Sequence, residues 1–275
     1  MGTKKKSTKM EIVEINSIAE FSKQIEIIIK KKSYFDIVVW RGQGDVQYNL
    51  APKLYRNNHW LSNEFEMVEE VKRRNPEDFT ACKNRLDELT ICQHYGLPTR
   101  LLDVTQNPLV ALYFACSTDL KKDGEIIFFI DHPLKHWDIR VKCLTYFSTI
   151  FNYLKIDLVY KEFKEKFGYE HDTIKMIEDD LTKIHIVSPT LNNKRILAQQ
   201  GAFLLFGVNK EKDKFIKRSN NIDDSVYERN KLKIIVPSSQ KEQLLKELTY
   251  YGISKATLFP EIEYQCEEVS MLFNS

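Results

Sequence analysis

Gln93, His94, Arg100, Asp103, Thr105 and Asn107 crowd chemistry-bearing side chains of several kinds into one short stretch. Apolar runs enclose them, Leu101-Leu102 within and Leu109 to Cys116 after. Their types suit anion binding combined with proton transfer. An imidazole such as His94 changes charge near neutrality and is a candidate general base. Arg41 and Arg100 carry planar forks that match carboxylate or phosphate oxygens two at a time. Asp103 is a carboxylate able to stabilise developing positive charge. Two other readings stay open: a module in which the same cluster holds a nucleotide-like ligand or a protein partner without chemistry, and a purely structural one in which Arg41, Gln93, His94, Arg100 and Asp103 form a buried, mutually satisfied network.

These groups need elements to hold them. Gly96 and Pro98 stop a helix over 85–95, because glycine provides a left-handed end and proline cannot extend the turn. Leu101 to Val104 reads as a short buried strand. Asn107 caps a following helix, with Pro108 at its first position, where a missing N–H costs nothing. Asp36 to Trp40 is a β-branched run that delivers Arg41 at a strand end, followed by Gly42, Gln43 and Gly44. Arg195 to Phe206 reads as a later strand, with Gln199, Gly201 and Phe203 on one side. Convergence of Arg41, Gln93, His94, Arg100, Asp103 and Gln199 on one concave site is therefore expected, and it requires Arg41 and Asp103 on one sheet face.

Trp40-Arg41-Gly42-Gln43, the stretch Tyr48 to Arg56 and the central segment Gln93 to Pro108 resemble the FRG domain. Arg195 to Phe203, Gly252-Ile253 and Thr257 to Pro260 resemble its later blocks. The resemblance runs from about residue 18 to about residue 268. More distantly the layout is similar to the ADP-ribosyltransferase superfamily. That likeness implies NAD as a candidate cofactor, with Arg41, Gly42, Gln43, Gln93, Arg100, Thr105 and Asn107 on the binding side. Arg41, His94, Asp103 and Gln199 would then be the candidate catalytic groups. Gln199 stands where those enzymes usually carry Glu, and a neutral amide cannot supply that charge. The family resemblance also implies a bacterial accessory or defence-type effector.

The remaining chain bounds the alternatives. With 275 residues, 43% hydrophobic and 29% charged, it has ample material for a core. A net charge of +2 makes no case for a basic nucleic-acid surface. A nucleotide-type small molecule or a protein remains as partner. No run approaches the ~20 apolar residues of a membrane span. The five cysteines are widely spaced without a C-x-x-C pair, so neither a zinc site nor a disulfide frame is expected, in keeping with a cytoplasmic location. The histidines lack metal-ligand spacing. The fold expected is α+β, one mixed sheet with an ADP-ribosyltransferase-like core. Residues 1–16 read as a polar, disordered start, 17–275 as the FRG domain, and 134–183 as an inserted helical arm. A helix from Glu64 with a solvated acidic start, a polar 209–230 loop, and a helix capped by Ser239 and Glu242 complete the reading.

Overall fold

The computed structural model describes residues 11–149, 153–190, 193–216 and 232–273. Its centre is a seven-stranded mixed sheet. The strands are β1 (Glu11–Glu14), β2 (Ile37–Gln43), β3 (Leu101–Thr105), β4 (Gly124–Asp131), β6 (Ile184–Val187), β7 (Gly201–Phe206) and β10 (Leu232–Val236), in the order β1-β10-β4-β2-β3-β7-β6. Only β1 and β10 run parallel; the other neighbours are antiparallel. β1 falls inside the stretch read as a polar start, so residues 11–14 are ordered by pairing with β10. A second, three-stranded sheet joins β5 (Tyr153–Lys155), β9 (Lys214–Ile216) and β8 (Asn209–Glu211), so the described residues form two sheets where one was expected. The first part of the expected 209–230 loop is this β8–β9 hairpin; residues 217–231 lie outside the described residues.

Three apolar clusters cover the main sheet. On one face Trp40, Ile126, Phe128 and Ile234 pack under α1 (Ile18–Ile29), α5 (Pro108–Cys116) and α10 (Lys241–Tyr250). On the same face, further along, Leu101, Phe203 and Leu205 pack under α3 (Glu64–Arg74), α4 (Arg85–His94), α6 (Ile139–Tyr146), α7 (Ile156–Phe167) and α8 (His171–Met176). Within the 134–183 segment, Val141, Leu144, Phe147 and Phe163 are buried with Leu101 and Phe203, so its core is continuous with the sheet's own. Val39, Leu102, Val104 and Ile127 point to the opposite face, where the chain from Leu50 through α2 (Asn58–Ser62) covers them.

Two glycines set the seat of α5. A Cβ on Gly42 would stand 1.8 Å from the Ala111 carbonyl oxygen, and one on Gly124 2.4 Å from that of Ala115. Side chains are absent there because the helix backbone lies directly on β2 and β4. Asn107 opens α5 as expected, its side chain accepting from Leu109 N at 3.0 Å. Lys241, at the start of α10, is buried and donates to the carbonyls of Gly44, Thr118 and Asp119, closing the far end of the same helix. A short 3₁₀ turn over Ser238–Gln240 precedes α10, so Ser239 lies before the helix and no side chain caps it. The last described helices are α11 (Lys255–Leu258) and α12 (Ile262–Leu272).

Candidate functional site

A cleft of about 270 Å³ opens on the sheet face that carries α4 and α5, where the two apolar clusters of that face meet. Arg41, Gly42, Gln93, His94, Asp103, Thr105 and Gln199 line it, together with Arg195, Thr90 and Phe114. Seven of the expected residues therefore come together, and three do not. Arg100, Gln43 and Asn107 lie elsewhere, each for a clear structural reason.

Arg100 and Glu64 are both completely buried and form a two-pronged ion pair, Nε to Oε1 at 2.7 Å and Nη2 to Oε2 at 2.5 Å. Arg100 also reaches the Leu144 carbonyl at 3.4 Å, tying β3, α3 and α6 together. Burial alone would lower the Arg100 pKa, but the Glu64 charge and the hydrogen bonds to Glu64 together outweigh it and raise the pKa. The acidic start of α3 is thus an internal anchor at Glu64, against the solvated start expected. Gln43 is buried and donates to the Tyr48 carbonyl at 3.2 Å, on the far side of the sheet. Asn107 serves the α5 cap already described.

The polar floor of the cleft is braced in sequence order. The Thr99 hydroxyl donates to Gln93 Oε1 at 2.7 Å, and Gln93 Nε2 donates to Asp103 Oδ2 at 2.9 Å. This chain fixes the amide's orientation, so its N–H end must face the carboxylate. Thr105 donates to the Gln199 carbonyl at 2.7 Å and accepts from Asn107 N at 3.0 Å, locking the end of β3 to the turn before β7. That turn differs from expectation. Lys194–Ala198 is a helix, α9, capped by Asn193, and Gln199 is its C-cap residue. Gln200 follows in the left-handed region (φ 46°), and only at Gly201 does the strand begin. The Gln199 amide donates to the Leu258 carbonyl at 3.1 Å. Its place is a helix end, held from two sides, and the strand position read from alternation belongs to Gly201 and Phe203.

Arg41 reaches the cleft by an unexpected route. Trp40 pairs with Thr105, so these two side chains share a face, and Asp103 shares it with Thr105 by alternation. Arg41 alternates with Trp40 and starts on the opposite face, alongside Val39. The requirement that Arg41 and Asp103 share a sheet face is therefore not met. The Arg41 side chain instead turns across the β2–β3 junction, and Nη1 donates to the Asp103 backbone carbonyl at 2.7 Å. Burial lowers the Arg41 pKa against the pull of Asp103, and Arg56 lowers it further. Its Nε is covered and lacks a hydrogen-bond partner among the described residues.

His94 ends α4. Burial, then the charge of Arg195, pulls its pKa below the usual histidine value, while Glu261 and Asp103 pull the other way. Arg195 lies over the Phe259 ring, 4.5 Å from its centre, which holds a second guanidinium at the rim. Sequence reading placed Arg195 in a strand and gave it no role; the Asn193 cap two residues earlier was the available signal that a helix presents it. Among the described residues no group of histidine, cysteine or acidic side chains is arranged to hold a metal, and no helix is long and apolar enough to cross a membrane.

Residues 36–124 match the family model of the FRG domain. The chain carries an FRG domain. The matched span contains β2, α2 to α5 and β3, and with them Arg41, Gln93, His94, Asp103 and Thr105. Arg195 and Gln199, on the other wall, lie beyond it, as do the later blocks near 195–203 and 252–260. The FRG match thus covers the sheet centre and one wall of the cleft. No curated protein and no solved structure matches the chain.

Proposed function

We propose that the cleft binds a nucleotide-type ligand of the NAD class and cleaves it, with Asp103 and His94 as the reacting groups and the guanidinia of Arg41 and Arg195 as anion holders. The observation that carries this reading is one small cleft holding two guanidinia, an imidazole whose pKa burial lowers and a carboxylate fixed by Gln93. Cationic forks suit phosphate or carboxylate oxygens, and an oriented carboxylate suits a reaction in which positive charge develops. Size narrows the ligand. The cleft, at about 270 Å³, lies just under the roughly 300–1,000 Å³ that encloses a drug-sized molecule. It suits one half of a dinucleotide, a base and its ribose, with the rest lying outside along the rim. The ADP-ribosyltransferase-like core and a role as a bacterial defence or toxin-type effector belong to this proposal.

Gln199 favours a second reading, a binding module without chemistry. Its amide is engaged by the Leu258 carbonyl and brings no charge, so any catalytic carboxylate must be another residue. The two readings separate in one experiment. NAD at 100 times its dissociation constant adds about 2.7 kcal/mol by linkage, which in a chain of this size raises the melting temperature by about 5 °C or more. Asp103→Asn keeps an acceptor for the Gln93 amide. On the catalytic reading NAD cleavage falls in this variant while the thermal shift persists; on the binding reading the wild type shows the shift without cleavage. If neither NAD nor any other nucleotide shifts the melting temperature, the nucleotide reading is wrong and a protein partner takes its place.

A further inference from the structure

Among the described residues Glu261 is the carboxylate within 4.0 Å of both His94 and Arg195, and nothing so far assigns it a role. It stands immediately before α12, where its carbonyl accepts from Tyr264 N at 3.1 Å. Its Oε1 is 4.0 Å from His94 Nε2 and 3.9 Å from Arg195 Nη1. Its Oε2 is buried without a hydrogen-bond partner among the described residues. A covered carboxylate oxygen left unpaired is costly, and in a native protein it calls for an explanation.

We infer that Glu261 is the positioning carboxylate of His94, and that the pair forms a proton-accepting couple for a hydroxyl-bearing reactant, water or an alcohol, in the cleft. The role rests on the cleft being a site of chemistry, as proposed above. Nε2 is the ring nitrogen that lies 4.0 Å from Glu261; in the couple the neutral tautomer carries its proton there, and Nδ1 keeps the lone pair. Nδ1 makes no hydrogen bond among the described residues. The step is then simple. The reactant's O–H bond breaks, its electron pair stays on oxygen for attack, and the proton passes to Nδ1. The imidazolium formed lies between Glu261 and Asp103, which favour it, and Arg195, which disfavours it. The Tyr95 ring packs edge-on against the imidazole, 4.8 Å away. The 4.0 Å separation exceeds a hydrogen bond, and contacts of this kind are often long before a ligand closes them. A carboxylate behind the imidazole also supplies charge that Gln199 lacks.

Two measurements on the full chain test the couple without NAD. The first is a proton NMR titration of His94 in the wild type, Glu261→Gln and Glu261→Asp. Loss of the charge should lower the His94 pKa further, and the aspartate variant should keep it close to wild type. The second is carbethoxylation by diethyl pyrocarbonate at pH 7.5, where the ring is neutral in each, read as the rate of His94 modification by peptide mass. His94 should react in the wild type and several-fold more slowly in Glu261→Gln. A His94 pKa unchanged in Glu261→Gln, or a His94 that does not react in the wild type, overturns the inference. Either result stands whether or not the cleft takes NAD, so failure of the ligand proposal and failure of the couple are distinguishable.

Discussion

Replacing Arg100 with methionine should cost about 3–5 kcal/mol, the usual penalty for leaving one member of a buried ion pair without the other. The geometry puts Arg100 at that end of the scale. Both partners are completely buried, and two short parallel bonds join them. The Leu144 carbonyl loses a donor as well. Against a total stability of about 5–15 kcal/mol, this is roughly a fifth or more. With a urea slope of ~3 kcal/mol per molar for a chain of this size, the unfolding midpoint should fall by about 1–1.7 M. Replacing both residues, Arg100→Met with Glu64→Leu, removes the stranded charge and should recover most of the loss. The double variant should also keep whatever nucleotide response the wild type shows, because neither residue lines the cleft. A midpoint change under about 0.3 M in Arg100→Met, or a double variant as damaged as the sum of the singles, would refute the anchor. A stable double variant that had lost the ligand response would return Arg100 to the site.

Gly42→Ala should damage the fold beyond the roughly 1–3 kcal/mol of ordinary overpacking, because the added methyl meets backbone atoms of Ala111 and Ala115 at 1.8 and 2.6 Å. Soluble expression and near-ultraviolet circular dichroism check it, and a native-like Gly42→Ala would contradict the close seating of α5. Stability should also decline on acidification. Burial holds the pKa values of His94 and His185 below the usual histidine value, and an unfolded histidine titrates near ~6.5. Below that pH the unfolded chain takes protons that the native protein refuses, so stability is lost as pH falls from about 6.5 through the native values, with no change from this source above it. Urea midpoints at pH 7.5 and 5.5 test the sign; His94→Gln and His185→Gln together should flatten the difference.

Local chemistry made the central stretch readable. Gly96, Pro98, Asn107 and Pro108 punctuate their elements in the structure as their backbone preferences demand, and the strand between them carries Asp103 to the cleft. Gln199 was misplaced because the apolar pattern of Ile196 and Leu197 suits a strand as well as a single helical turn, and the deciding Asn193 cap is a weak signal over five residues. Arg100 was misread because burial depends on a partner 36 residues earlier, and nothing local to Glu64 shows that it turns inward. Glu261 was invisible for the same reason: its meaning comes from His94 and Arg195, which are far from it in sequence.

Arg41 shows how a correct residue can follow from an incorrect geometry. Its place after a β-branched run suggested a guanidinium displayed at a strand end, on the same face as Asp103. The pairing of Trp40 with Thr105 sends it to the other face, and the cleft receives it only because the side chain bends across the β2–β3 junction to the Asp103 carbonyl. The same bond that brings the charge to the site also holds the two central strands together. Arg41→Ala must therefore weaken the fold and the cleft at once, and loss of ligand response in that variant alone proves little about anion binding. Arg195 is the better probe. It enters from α9, rests on Phe259 and braces no strand. A ligand held by charge should depend on Arg195 in a protein whose sheet is otherwise intact.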